Sequence, residues 1–171
     1  MLWLWRFLLY SFVGFGLEIT FARIINHPKR DRKCLLLLPL CPVYGLGALL
    51  ILWLSALSPA PLWVMAAGFF GATAAEYLMG LFYQYALGVS FWDYSDIPYN
   101  LGGLVCLPFS LAWTVLALVL VYWADPLAVS LLSALPAALA PAAAILLGAD
   151  LAVSAIALRR SGTTEVLRWY R

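Results

Sequence analysis

Long uncharged apolar runs dominate this sequence and restrict the folds that it can adopt. Only 11% of the 171 residues are charged, whereas a soluble domain carries roughly 25% charged residues. The mean hydropathy is +0.96. A chain with so few charges cannot cover a water-facing surface, so we predict an integral membrane protein.

The apolar runs are long enough for about five membrane crossings. A helix needs about 20 apolar residues to cross roughly 30 Å of hydrocarbon. The fifth run contains Pro136 and Pro141, which predict a short leading piece and then a helix from Pro141 to Leu158. Four crossings are the alternative, if this last region lies along the surface. We predict an all-α membrane helical bundle, a single domain over residues 1–171, with crossings at 2–25, 35–57, 62–87, 105–124 and 141–158.

The basic residues predict how this bundle is oriented. With five crossings, nine of the ten Lys and Arg residues fall on one side, and only Arg6 lies near the other. Cytoplasmic loops carry the excess of Lys and Arg in membrane proteins. We therefore expect a multi-pass protein of the plasma (inner) membrane with its amino terminus outside and its carboxyl terminus in the cytoplasm. Residues 26–34, 89–103 and the tail after Arg159 then lie in the cytoplasm, where His27 is a solvated loop residue.

The three cysteines, Cys34, Cys41 and Cys106, all lie at the predicted cytoplasmic ends of crossings. Their number is odd, and the cytoplasm is reducing. We expect no disulfide and interpret the three as small packing residues.

Three acidic residues, Glu18, Glu76 and Asp150, lie inside the predicted crossings. A charge at that depth costs about 2.5–3.5 kcal/mol on insertion scales and usually faces protein or water. Small residues flank Glu18 and Glu76 at a spacing of four, which allows another helix to approach closely. The two Glu are expected to face each other or to share a neighbour. A structural role, with Arg6 or Arg23 as the counter-ion, is the alternative.

The second crossing begins with "PLCPVYGLG", in which Pro39 and Pro42 cannot both fit a regular helix interior. Irregular backbone inside a membrane is tolerated where protein or water satisfies its polar groups, and it often lines ligand cavities. Proline in the first turn of an ordinary helix is the alternative. The sequence leaves both interpretations open.

The stretch "SFWDYSDIPYNLGG", residues 90–103, contains two acids and no basic residue. It is either the edge of a site or a linker whose aromatic residues anchor it at the membrane interface. We favour the site, with Asp93 hydrogen-bonded into the bundle near Tyr44 or the start of the fourth crossing and Asp96 facing water. We predict no metal ion here, and one polar pocket lined by Glu18, Glu76, Asp93, Tyr94, Asn100, Tyr44 and Cys41.

Four blocks in order give the chain a family resemblance over about residues 7–126. They are "YSFVGFGLE", "PLCPVYGLGAL", "EYLMG" and "FWDYSDIPYNLGGLVCL" followed by "DP". With these blocks the chain resembles the CmpB-type family of ABC-transporter permeases, also called ABC-transporter type IV. The resemblance implies characteristic positions at Gly14, Pro39, Pro42, Gly45, Trp92 and Gly103, beside the pocket residues. Leu104 departs from the family, which usually has an Arg there.

The resemblance and the buried acids together favour a permease or transport component for a small solute or ion. The sequence has no G-x-x-x-x-G-K-[ST] phosphate loop, so such a component would need a separate ATPase. A bundle this thin would also need a homo-oligomer or a partner membrane subunit, and we expect no cofactor and no nucleic acid. The alternatives are a non-catalytic assembly subunit and an intramembrane enzyme acting on a lipid or isoprenoid. In the enzyme, acid and base groups would come from Glu18, Glu76, Asp93 and Tyr94, with Cys41 as a nucleophile.

Overall fold

The computed structural model describes residues 1–25 and 36–167. Within them the chain forms five helices, which confirms the all-α class: α1 Leu2–Ile24, α2 Pro42–Ser55, α3 Pro61–Leu87, α4 Leu107–Ser133 and α5 Leu139–Ser161. A short 3₁₀ helix, Thr164–Leu167, follows α5. Between α3 and α4, the two-residue strands β1 (Asn100–Leu101) and β2 (Val105–Cys106) pair antiparallel in a small hairpin.

Four of the helices, α1, α3, α4 and α5, are long and apolar enough to cross a membrane. The second helix has only 14 residues, which is about 21 Å at 1.5 Å per residue. That is shorter than the roughly 30 Å of a hydrocarbon core. The protein is therefore a multi-pass membrane protein with four candidate spans, and the fifth crossing at 35–57 stays a prediction that depends on α2 and the residues before it.

The fourth helix is longer than the predicted crossing, and an ion pair accommodates the acid that this helix contains. It continues past residue 124 to Ser133 and includes the buried Asp125. Arg6 of α1 donates from Nε to Oδ1 of Asp125 at 2.9 Å and from Nη2 to Oδ2 at 2.5 Å. Tyr10 donates a third hydrogen bond to Oδ1 at 2.8 Å. Arg6 thus neutralises Asp125 and not one of the two Glu, and a charge paired in this way can lie within an apolar helix.

Prolines affect the fourth and fifth helices in different ways. A π-helical turn at Leu120–Ala124 precedes Pro126, and such a turn absorbs the backbone irregularity that proline introduces. The last helix begins at Leu139, two residues before Pro141. Proline in the first turn needs no hydrogen-bond partner for its nitrogen, so Pro141 does not mark the first residue of the helix.

The helices pack so that the bundle has two distinct ends. Helix α2 runs antiparallel to α1, since Tyr44 meets Gly14 whereas Gly45 meets Ser11. At one end, called here the amino-terminal end, the Tyr122 hydroxyl of α4 donates to the carbonyl of Pro59 at 2.6 Å. At the other, the hairpin end, a buried cluster joins parts of the chain that are far apart in sequence. It contains Leu36, Leu40, Tyr83, Leu87, Val89, Leu158 and Leu167.

A non-helical segment, residues 36–41, leads into α2 and is called here the lead-in segment. Leu36 and Cys41 are almost fully buried, so the backbone between them needs partners inside the protein. Asp150 of α5 supplies two of them, accepting from the nitrogens of Leu37 and Leu38 at 3.1 and 3.0 Å. The Ser11 carbonyl of α1 accepts from the nitrogen of Cys41 at 2.8 Å. The structure thus contains both alternatives: irregular backbone around Pro39, and then Pro42 as the first residue of an ordinary helix.

One cysteine expectation is wrong in this structure, because Cys41 is disulfide-bonded. The expectation came from the assumed reducing compartment and not from the geometry of the chain. Cys106 is a buried free thiol, as expected for a packing residue. Cys34 and His27 lie outside the described residues.

The two ends of the bundle generate a prediction about topology. If the lead-in segment and α2 cross the membrane together, the α2–α3 loop lies outside, and the hairpin and the residues after α5 lie in the cytoplasm. With the native cysteines replaced by serine, Ser58→Cys should react with a membrane-impermeant thiol reagent in intact cells. Asp96→Cys and Glu165→Cys should react only after permeabilisation. The inverse pattern would contradict five crossings with an external amino terminus.

Candidate functional site

A cavity of about 490 Å³ lies toward the hairpin end, between α1, α2, α3 and α4. Residues of the loop after α3 form the wall of this cavity at the hairpin end. Its lining is mostly apolar and aromatic, and the described lining residues include two acids and no Lys, Arg or His. They are Leu17, Glu18, Phe21, Cys41, Val43, Tyr44, Glu76, Tyr83, Phe91, Trp92, Tyr94, Phe109, Ala112, Trp113, Val115 and Leu116.

Glu76 is the more buried of the two acids, with 6% of its surface exposed. Both of its carboxylate oxygens accept a hydrogen bond from a neutral donor. The Tyr94 hydroxyl donates to Oε1 at 3.0 Å, and the Trp113 indole nitrogen donates to Oε2 at 3.0 Å. These bonds fix the carboxyl group at the cavity wall and satisfy its oxygens, but they supply no positive charge.

Glu18 of α1 joins the same wall through Tyr44. The Tyr44 hydroxyl donates to Oε1 of Glu18 at 2.9 Å, and its ring packs against the ring of Trp113 with centroids 5.1 Å apart. A continuous path of contacts therefore runs from Glu18 through Tyr44 and Trp113 to Glu76. The path depends on Gly14, because a Cβ at that position would collide with the Tyr44 side chain.

Tyr94 enters the cavity from the loop after α3. Its ring stacks on Phe109 with centroids 4.8 Å apart and an angle of 22° between the planes. Its backbone nitrogen donates to the carbonyl of Gly103 at 2.8 Å, which ties it to the hairpin. Burial and the neighbouring Glu76 carboxylate hold the pKa of the Tyr94 hydroxyl well above its usual value. Tyr94 therefore stays neutral and remains a hydrogen-bond donor to Glu76 at physiological pH.

Asp93 and Asn100 do not lie where the sequence suggested. Asp93 is exposed, and its Oδ1 accepts from the nitrogen and the hydroxyl of Ser95 at 2.9 and 2.6 Å. Asn100 donates to the carbonyl of Ile97 at 2.8 Å and accepts from the nitrogen of Gly103 at 3.0 Å. Short Asx side chains commonly bond to nearby backbone in this way and shape turns. Neither belongs to the described cavity lining, and the two shape the loop that carries Tyr94.

Gly103 completes this loop. Its φ is +70°, a conformation that favours glycine, and a Cβ there would lie 2.6 Å from the Asp93 carboxylate and from the Ser95 hydroxyl. Trp92 lines the cavity and anchors the loop, since its indole nitrogen donates to the carbonyl of Leu104 at 2.8 Å. The Leu104 side chain is buried against Gly80, one turn of α3 beyond Glu76.

The structure thus brings Glu18, Cys41, Tyr44, Glu76 and Tyr94 together on one cavity. Of the four acid and base groups weighed for an enzyme, Asp93 is exposed and is not among the described residues that line the cavity. Cys41, the nucleophile weighed with them, is disulfide-bonded. Among the described residues, no three His, Cys, Asp or Glu lie close enough to hold a metal ion. Sequence reasoning missed Trp113, which looks like one more apolar residue in α4 and whose indole N–H is its only polar feature.

The family of the chain follows from a comparison with protein-family models. The model described as "Putative ABC-transporter type IV" matches residues 5–156. The chain belongs to this family. The match confirms the resemblance carried by the four sequence blocks and extends it to Asp150 and Ser154 of α5. No curated protein and no solved structure matches the chain.

The positions of the two loop acids, Asp93 and Asp96, generate a prediction about the loop between α3 and α4. Asp93→Ala removes the acceptor for both Ser95 donors, so hydrogen exchange in the peptide covering residues 93–104 should become faster. Asp96→Ala, the matched control, should leave this exchange unchanged. Equal exchange in the two variants would contradict the role given to Asp93.

The same loop should also respond to acid. The Ser95 donors lower the pKa of the Asp93 carboxyl below its ordinary value of about 3.9. Because the folded-state pKa is the lower one, the stabilisation is present above about pH 4 and is lost as the pH falls through the folded value. The wild-type exchange rate should then approach that of Asp93→Ala.

Proposed function

We propose that the chain is the substrate-binding membrane subunit of a transporter, a permease component for a small solute or ion. The cavity with Glu18 and Glu76 is its binding site. It lies toward the end of the bundle that we place in the cytoplasm.

The observation that carries the proposal is the placement of two acids in one aromatic cavity. Acidic residues within membrane helices are expensive and usually mark a substrate or ion pathway. Ligand sites are mostly apolar cavities of about 300–1,000 Å³ with a few well-placed polar groups. The cavity, at about 490 Å³ with Glu18 and Glu76 held by Tyr44, Tyr94 and Trp113, has both properties.

The cytoplasmic orientation is supported by the distribution of charge. Arg23, at the end of α1, and Arg159 and Arg160, at the end of α5, belong to the hairpin end of the bundle. An excess of basic residues at one end favours a cytoplasmic location for that end. The cavity lies toward the same end, since Phe91, Trp92 and Tyr94 of the following loop line it.

A partner subunit belongs to this proposal. The helices form a thin bundle, and α2 is short, so a complete pathway is best formed by a homo-oligomer or with another membrane subunit. The family name implies coupling to ATP hydrolysis, and this sequence contains no phosphate loop. We therefore place a separate ATPase at the cytoplasmic hairpin end.

Profiling small molecules in cells would test the transport role. Cells that lack the endogenous protein are complemented with the wild type, Glu76→Gln or Asp96→Asn, at equal membrane abundance. If the chain is a permease component, the wild type and Asp96→Asn should change the distribution of one small set of solutes between cell and medium. Glu76→Gln should not change it. The amide keeps the size of the side chain but cannot carry the charge. Glu18→Gln is the second variant, in case Glu76→Gln does not accumulate.

Two other outcomes would reject the proposal. If Glu76→Gln and Asp96→Asn both behave like the wild type, the acids have no transport role and an assembly subunit is favoured. If the wild type converts one compound into another without moving it across the membrane, the chain takes part in an enzyme.

A further inference from the structure

A second cavity, of about 470 Å³, adjoins the first one. It lies between α1 and α4 and shares four lining residues with the acid-containing cavity: Leu17, Tyr44, Trp113 and Leu116. The two cavities are therefore two parts of one cleft. The second part has no acidic or basic residue among its described lining residues.

The apolar part is as long as a lipid chain. Its wall on α4 extends from Trp113 to Leu131, which is about 27 Å at 1.5 Å per residue. One leaflet of a bilayer has about 15 Å of hydrocarbon, half of the total of roughly 30 Å. An extended alkyl chain therefore fits along the cleft without leaving the apolar wall.

The cleft opens sideways. At the amino-terminal end, α1 and α4 are joined by the Arg6–Asp125 ion pair. At the hairpin end they meet through the edge-to-face pair of Phe21 and Phe109, with ring centroids 6.0 Å apart. Between these contacts the rim residues Val13, Leu17 and Val119 are more than 40% exposed. Leu127 and Leu131, which lie beyond Asp125 on α4, are 71% and 74% exposed. In a bilayer this rim faces the hydrocarbon.

Among the described lining residues, the charged side chains lie at one end of the cleft only. The Glu76 carboxylate accepts hydrogen bonds from two neutral donors, Tyr94 and Trp113. A cation beside this carboxylate would therefore gain an ionic contact within an apolar wall. The rings of Tyr44, Tyr94 and Trp113 surround this end and suit a cation at their faces. The other end is lined by apolar side chains and by Tyr10, whose hydroxyl already donates to Asp125.

We propose that this cleft binds a single-chain amphiphile with a cationic head group, such as a long-chain ammonium. The head lies beside Glu76 and Glu18, and the alkyl tail lies between α1 and α4, reached from the bilayer. This inference rests on the proposed transport role, since it names the ligand class for the same cavity. A helix of a partner protein would match the apolar part but would bury Glu76 beside its two neutral donors without adding a counter-charge.

Photolabelling in lipid nanodiscs tests the inference. The protein, in zwitterionic lipid, is irradiated with a hexadecylammonium probe that carries a diazirine in its chain, and the adducts are located by peptide mass spectrometry. Adducts are expected in the parts of α1 and α4 that line the cleft. Hexadecyl sulfate with the same diazirine is the probe of opposite charge, and tetramethylammonium is the competitor without a tail.

Two pairs of variants test the contacts of the head group and of the alkyl tail separately. Glu76→Gln should lower cleft labelling by the ammonium probe about tenfold, the loss of one charge-assisted contact, whereas Asp96→Asn should not. Leu116→Trp fills the junction of the two cavities and should also lower the labelling. Leu111→Trp, on the lipid-exposed side of the same helix and outside both cavities, should leave it unchanged.

The outcomes distinguish this inference from the proposed function. Equal cleft labelling by the sulfate probe, or labelling that is insensitive to Glu76→Gln, overturns the cationic head. If tetramethylammonium at the concentration of the probe abolishes the labelling, the alkyl tail is not needed for binding and the amphiphile proposal is rejected. The proposed transport of a small ion is not affected by this result. Absence of cleft adducts, together with a Glu76-dependent solute shift in cells, overturns the amphiphile alone. If neither the adducts nor the shift is found, both proposals fail.

Discussion

The non-helical backbone of the lead-in segment is the constraint on which the rest of the bundle depends. Free N–H groups inside an apolar bundle cost several kcal/mol each unless they find a partner. Asp150 accepts from two consecutive backbone nitrogens, and Ser154, one turn later on α5, donates to Asp150 at 3.0 Å and accepts from Leu37 at 3.2 Å. Helix α5 thereby fixes the point at which α2 begins.

The position of Tyr44 follows from that starting point. Tyr44 lies in the first turn of α2, directly against Gly14 of α1, and from there its hydroxyl reaches Glu18 while its ring contacts Trp113. The hairpin loop fixes Tyr94 from the opposite side. The two tyrosines hold the two acids at one cavity. The apolar part of the cleft extends from this cavity toward the amino-terminal end.

The sequence predicted the parts of this arrangement that depend on a single residue in a hydrophobic run. Glu18 and Glu76 stand out there because a buried acid needs a special environment, and Pro39 indicates irregular backbone. It could not predict which partner each polar group finds, because those contacts join residues far apart in the chain. Asp93 therefore looked like a site residue although its partner is two residues away, and the pairing of Arg6 with Asp125, 119 residues along the chain, was missed.

Hydrogen exchange of the lead-in segment tests the central dependence most directly. We expect the peptide covering residues 36–41 to be protected in the wild type and to exchange rapidly in Asp150→Ala, because the backbone nitrogens lose their acceptor. The peptide containing Tyr44 should lose protection with it, while the peptides of α3 and α4 keep theirs. Unchanged protection of residues 36–41 in Asp150→Ala would show that Asp150 does not hold the lead-in segment in place.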